Sequence, residues 1–201
     1  MTTNPRLARL ALLATLALFA SACAGTIKNM KEVAPGSPEP GPAPGKAMVV
    51  FLRPSGMAYA VQSSVFVMKD KDPQLVGIVA AKTKLAWQAD PGKHLFMVVG
   101  ESGDFMSAEV EAGKTYFAMV TPRMGMWKAR FSLKPVGPEE YVSPEFVLGL
   151  NGSRWVETEQ ASEAWARENA DDIRAKYDEY FPKWMEKAEA DRPRLRVTDG
   201  K

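Results

Sequence analysis

Cysteine and histidine are almost missing from this 201-residue chain, which has one of each. A single Cys excludes an internal disulfide framework. A single His, His94, leaves a His-based triad or a multi-histidine metal site little to build on. Charge of one sign is lacking too, since 26 Lys and Arg face 24 Asp and Glu. Long apolar runs are absent: Leu10 to Ala20, with Thr15 inside it, falls short of the roughly 20 residues a bilayer-spanning helix needs. No G-x-S-x-G, H-E-x-x-H, P-loop or G-x-G-x-x-G occurs. The common hydrolase, zinc-protease and nucleotide-binding signatures are thereby excluded.

What is present begins at the N-terminus. Arg6 and Arg9 precede the apolar run, and small residues lead from it to Cys23. That order reads as a secretory signal peptide over residues 1–22. Ala20-Ser21-Ala22-Cys23 resembles the lipobox of bacterial lipoproteins, with Ala where Leu is commoner. The resemblance implies diacylglycerol on the Cys23 thiol, cleavage before it, and acylation of the new amino group. Such an anchor is physically sufficient, because each buried methylene contributes about 0.8 kcal/mol. In that family Asp after the Cys signals retention in the inner membrane. Ala24 therefore implies the outer membrane, with the body facing the periplasm. Removing Arg6 and Arg9 leaves 24 basic residues against 24 acidic. A formally neutral body has no global field to steer nucleic acid. The expected partners are the membrane, through the lipid, and an envelope protein or cell-wall component.

The mature chain divides by composition. Residues 23–45 hold the lipidated Cys and a Pro/Gly-rich tether. Five prolines and three glycines in Lys31 to Gly45 oppose helix and ladder pairing. Pro-rich chain favours polyproline II at about 3.1 Å per residue, a spacer expected to hold a body off the lipid. Residues 46–136 read as β, with about eight apolar or alternating runs separated by turns every 8–12 residues. In Thr83 to Ala89 the alternation puts Leu85 and Trp87 inward and Lys84 and Gln88 toward water. Residues 137–157 connect, with a short helix capped by Ser143, begun by Pro144 and ended by Gly149 or Gly152. Residues 158–190 form a long amphipathic helix with Trp165, Ile173, Tyr177, Phe181 and Trp184 on one stripe. Pro182 should kink or split it near Tyr180. Residues 191–201 read as a frayed basic tail. The expected fold class is mainly β with C-terminal α: an antiparallel β-sandwich of about 7–8 strands followed by the helix.

Three pieces of the β region are Arg53-Pro54-Ser55 after the first strand, the Pro91-Gly92-Lys93-His94 turn, and Ala112-Gly113-Lys114-Thr115-Tyr116-Phe117. On these the region resembles the bacterial lipoprotein family filed as domain of unknown function 2846. The Pro-Gly-Lys-His pattern is also similar to small surface-layer domains named after a Pro-Glu-Gly-Ala motif. The likeness covers about half of the mature chain. It implies a secreted, lipid-anchored β-domain and brings no catalytic residue.

Other constellations have plain alternatives. His94 sits at a turn-to-strand junction. Asp70 with Asp72 and Glu101 with Asp104 have turn chemistry rather than the regular oxygen spacing of a calcium loop. Met119, Met124 and Met126 offer thioethers without neighbouring His or Cys, a thin ligand set for Cu(I). Lys128, Arg130 and Lys134 on the last strand are a candidate surface for an anionic partner, or the charged guard of an edge strand. Exposed Trp87 and Trp127 would suit a glycan-binding module, the alternative function. The expectation is a non-catalytic structural or interaction module with Cys23 as lipidation site. No catalytic residue, cofactor or metal is expected, and an enzyme of unrecognised type is the remote alternative.

Overall fold

Apolar runs buried on both faces of two sheets are what the architecture is built from. The computed structural model describes residues 27–126 and 129–201; Cys23, Trp127 and Lys128 lie outside the described residues. The strands are β1 (Lys31–Glu32), β2 (Ala47–Arg53), β3 (Ser63–Lys69), β4 (Asp72–Val79), β5 (Thr83–Ala89), β6 (Gly92–Val99), β7 (Gly103–Val110), β8 (Thr115–Arg123), β9 (Arg130–Val136), β10 (Arg154–Glu157) and β11 (Arg194–Leu195). The helices are α1 (Pro144–Asn151), α2 (Gln160–Glu168) and α3 (Ala170–Met185). One sheet has the order β1-β10-β5-β2-β8-β9, the other β11-β7-β6-β3-β4. The molecule is mainly β with C-terminal helix.

Odd and even positions of each strand go to different cores, as the pleat requires. Ala47, Val49 and Phe51 of β2 meet Val65, Val67, Phe96, Val98 and Met106 between the sheets. Phe51 and Phe96 join the two sheets edge-on, ring centres 5.0 Å apart. The other face of β2 (Met48, Val50, Leu52) packs under α1 with Phe117 and Phe146. The other face of the second sheet (Phe66, Met97, Val99, Phe105) packs under α3 with Ile173, Tyr177 and Trp184. β2 is apolar throughout because both its faces are covered.

Three expectations about this scaffold are corrected. The sheets are mixed rather than antiparallel: β2 pairs with β8, β5 with β10, and β7 with β11 in parallel. The reason is parity. Short links reverse the chain at every step from β2 to β9, so β2 and β8, an even number of steps apart, run the same way. There are eleven strands among the described residues rather than seven or eight. The three extra strands, of two to four residues, are too short to show a period. The long helix breaks at Asn169, not near Tyr180. Asn169 donates its side-chain amide to Trp165 O at 2.8 Å, a local bond that competes with helix continuation. Pro182 is accommodated close to the end of α3.

The terminal segments also differ from expectation. From Ile27 onward the Pro/Gly-rich stretch is strapped to the body. β1 pairs with β10, and Met30 is buried in the core between the sheets. Gln88 donates to Gly41 O and accepts from Ala43 N–H, each at 2.9 Å. The basic tail is docked rather than frayed. Leu195 is buried, Val197 O accepts from Lys114 Nζ and Tyr116 Oη, and Lys201 exchanges both backbone bonds with Thr115.

Candidate functional site

β2 and β8 run parallel, and the β4–β5 turn meets the end of β2 through Lys82 N–H to Arg53 O at 2.7 Å. With the pairings of β3 to β4 and β6, these place the ends of β2, β4, β6 and β8 together at one end of the molecule. The loops after these strands build it.

Arg53, last in β2, is fully buried. Its guanidinium donates to the carbonyls of Val61 (2.5 Å), Met57 (2.7 Å) and Ala58 (2.8 Å) and lies 4.8 Å from the Phe131 ring centre. Burial pushes its pKa down to about 10, so it remains charged at neutral pH. Its Nε is buried without a hydrogen-bond partner among the described residues. The grip holds loop 54–62 with Ala58 in the left-handed region at φ 54°, a conformation costing an L-residue roughly 1–2 kcal/mol. The same loop leaves Met57 and Tyr59 57% and 62% exposed.

A second tip lies between β8 and β9. Glu101 accepts from the Met126 N–H and from Arg130 Nε, each at 3.0 Å. Met124 and Met126 are 88% and 75% exposed. Gly149 of α1 packs on Pro54, where an added Cβ would lie 2.6 Å from the proline Cβ. The N-terminal segment enters here too, since Gln62 Nε2 donates to Lys28 O at 3.2 Å.

The residues singled out from sequence fall as follows. Cys23 and Lys128 lie outside the described residues. Arg130 faces Glu101 at 3.0 Å and Lys134 faces Glu140 at 2.6 Å, on an edge strand. Half-buried His94 places Nε2 2.7 Å from Asp90 O, with Trp87 edge-on at 5.3 Å and Phe96 stacked at 6.1 Å. Trp87 also abuts Phe96 at 5.4 Å, against the inter-sheet core. Asp72 pairs with Arg174 at 2.7 Å, while Asp70 and Lys71 form the two-residue turn of a hairpin. Asp104 is almost buried, 3.6 Å from both Arg123 and Lys187. Met119 is in the core facing α1. Among the described residues no three of His, Cys, Asp and Glu converge as a metal site would need, and no helix is long and apolar enough to cross a membrane.

Lys84 was expected to face water and is instead buried. It donates to Leu150 O at 2.8 Å, lies 3.7 Å from Glu39 and sits over the Trp155 ring at 4.6 Å. Burial lowers its pKa, against the opposing pull of Glu39. The end of α1, β10 and the strap's Glu39 explain the change, because they cover the face that a bare alternating strand would show to solvent. The sequence offers one signal for Arg53, a charge closing a run apolar on both faces; for Lys84 it offers none. No protein-family model matches the chain, and no curated protein matches it.

Proposed function

We propose that the protein is a lipid-anchored lipoprotein of a bacterial envelope, a non-catalytic structural or interaction module. The observation that carries this reading is the order of Arg6 and Arg9, an apolar core, and Ala20-Ser21-Ala22-Cys23. Cys23 carries the acyl chains, and Ala24 favours the outer membrane. The two stacked sheets make a sandwich-like body akin to the lipoproteins with domain of unknown function 2846. The coverage of both outer sheet faces supports an interaction role centred on loops rather than on an open sheet. So does the use of His94 in a bond to a backbone carbonyl between two aromatic rings.

The test is metabolic labelling with radioactive palmitate, on the full chain and on Cys23→Ser. The expected result is label on the native chain, none on the variant, and release of the variant from the membrane pellet. An unlabelled native chain, or equal pelleting of both, overturns the proposal.

A further inference from the structure

We infer that the loop end of the body lies against the bilayer that anchors it, with Met57, Tyr59, Met124 and Met126 in the headgroup–acyl boundary. This rests on the proposed acylation of Cys23. The reach of the chain from the anchor is short. Four residue steps separate Cys23 from Ile27, which is already packed on the core. Fully extended chain spans at most ~3.3–3.6 Å per residue, so the body stands no further than about 14 Å from the anchored residue. The Pro/Gly-rich stretch adds nothing to that distance, because it is bound along the sheet. The chain enters beside Gln62, at the loop end, so that end faces the lipid.

Exposed apolar side chains gather at the same end. Of the eight exposed large hydrophobics among the described residues, Met57, Tyr59, Met124 and Met126 occupy two loop tips of this end. The opposite end's hairpin turns, at Asp70–Lys71, Asp90–Pro91 and Glu111–Gly113, carry none of the eight, and the segment that follows β9 there carries one, Val142. Concentrated exposed apolar groups mark a membrane or partner surface. Flexible Met and amphipathic Tyr suit an interface that is oily below and wet above.

Both tips are held. A fully buried arginine is committed to the carbonyls of the Met57–Tyr59 loop, and a mostly buried carboxylate to the Met126 amide. Exposed Lys28 and Lys82 at this end complement anionic headgroups.

The test uses full-length acylated protein in vesicles of phosphatidylethanolamine with a minor share of phosphatidylglycerol. With Cys23 acylated, a cysteine placed by Met124→Cys, Tyr59→Cys or Ala112→Cys is the only free thiol and takes a single fluorophore. Palmitate incorporation is read in the same preparation. Severalfold stronger quenching by spin-labelled lipid at 124 and 59 than at 112 is expected. Met124→Asp with Met126→Asp should weaken it at 59 while leaving palmitate incorporation unchanged. Equal, weak quenching at all three positions in a palmitoylated protein overturns the orientation and leaves the anchor intact. Protection of the tips by an added envelope protein, without lipid quenching, overturns it in favour of protein docking. A chain that takes up no palmitate overturns the anchor itself, and this inference with it.

Discussion

On one side of the molecule a single 16-residue helix, α3, lies across the second sheet. On the other side the cover is assembled from pieces: α1, the Tyr141 turn and, over β5 and β10, the strap at residues 33–45. The first cover is dry at its centre, with the Arg174–Asp72 pair at its rim. Phe105 meets Phe181, Tyr177 and Trp184 at ring-centre distances of 5.3, 5.8 and 5.9 Å. The second is fastened by polar groups: Lys84 to Leu150 O, Gln88 to the strap, and Tyr141 Oη to Asp199 O. A helix that carries its own apolar stripe keeps its polar bonds to the sheet at the rim. A cover made from short, distant segments brings less apolar area per segment, so hydrogen bonds must fix its position.

The sharpest way to break this contrast is to empty the dry side. Phe105→Ala is expected to cost about 3–5 kcal/mol, the range for removing a buried aromatic, read as a fall in the urea midpoint. A loss under about 1 kcal/mol would mean that α3 is not held by this face. The strap's own plug comes next. Met30 is buried between Gly77 and Leu85, and its sulfur accepts from Ile78 N–H and Ser162 Oγ, each at 3.4 Å. Met30→Ala should cost about 2–3 kcal/mol, toward the lower part of the Met→Ala range because an open groove adjoins it. It should also speed amide exchange across residues 31–46. Unchanged exchange there would show that the polar bonds hold the strap without the plug.

The same contrast explains what the sequence disclosed. Eight strands are apolar or alternating runs between turns, and the α3 stripe has a period of about 3.6; both are visible in one dimension. Ser143 capping α1 through the Phe146 N–H was equally local and readable. The strap was not: Pro35 to Gly45 has the composition of free spacer, and its docking depends on Gln88 and Lys84, some 45 residues away. The parallel pairing of β2 with β8 was hidden for a related reason, because turn signals report reversals but not which strands become neighbours. At the loop end, Met124 and Met126 were legible as a loop. Their company with Met57 and Tyr59 required the topology.

Tyr141 offers a smaller and pH-dependent lever on the patchwork side. Burial, then the nearby Asp199 and Tyr116, push its hydroxyl up to about 12. Between pH 10 and pH 12 the unfolded chain gives up this proton while the native chain keeps it, so the native state binds more protons and stability falls as pH rises. Tyr141→Phe should cost about 1 kcal/mol at neutral pH through the lost bond to Asp199 O. The native protein's advantage over the variant should shrink across pH 10–12. A constant difference in urea midpoint over that window would remove Tyr141 from the titration.

Lys84 should give the smallest effect at neutral pH and the opposite slope. It is buried and bonded, yet replacing a buried charge by an apolar chain of similar volume is often neutral or stabilising. Lys84→Met keeps the packing on Trp155 and is expected to change stability by less than about 1 kcal/mol at pH 7. Because burial lowers the Lys84 pKa, the unfolded chain holds this proton more tightly than the native chain. As pH climbs through the lowered value toward the ordinary 10.5, the native protein gains stability that Lys84→Met cannot gain. The difference between the two should therefore move in favour of the native protein as pH rises toward 10.5, with the Tyr141 titration common to both and cancelling. A neutral-pH loss above about 3 kcal/mol would mean that the ammonium itself fixes the patchwork cover, and that the polar fastenings outweigh its apolar contacts.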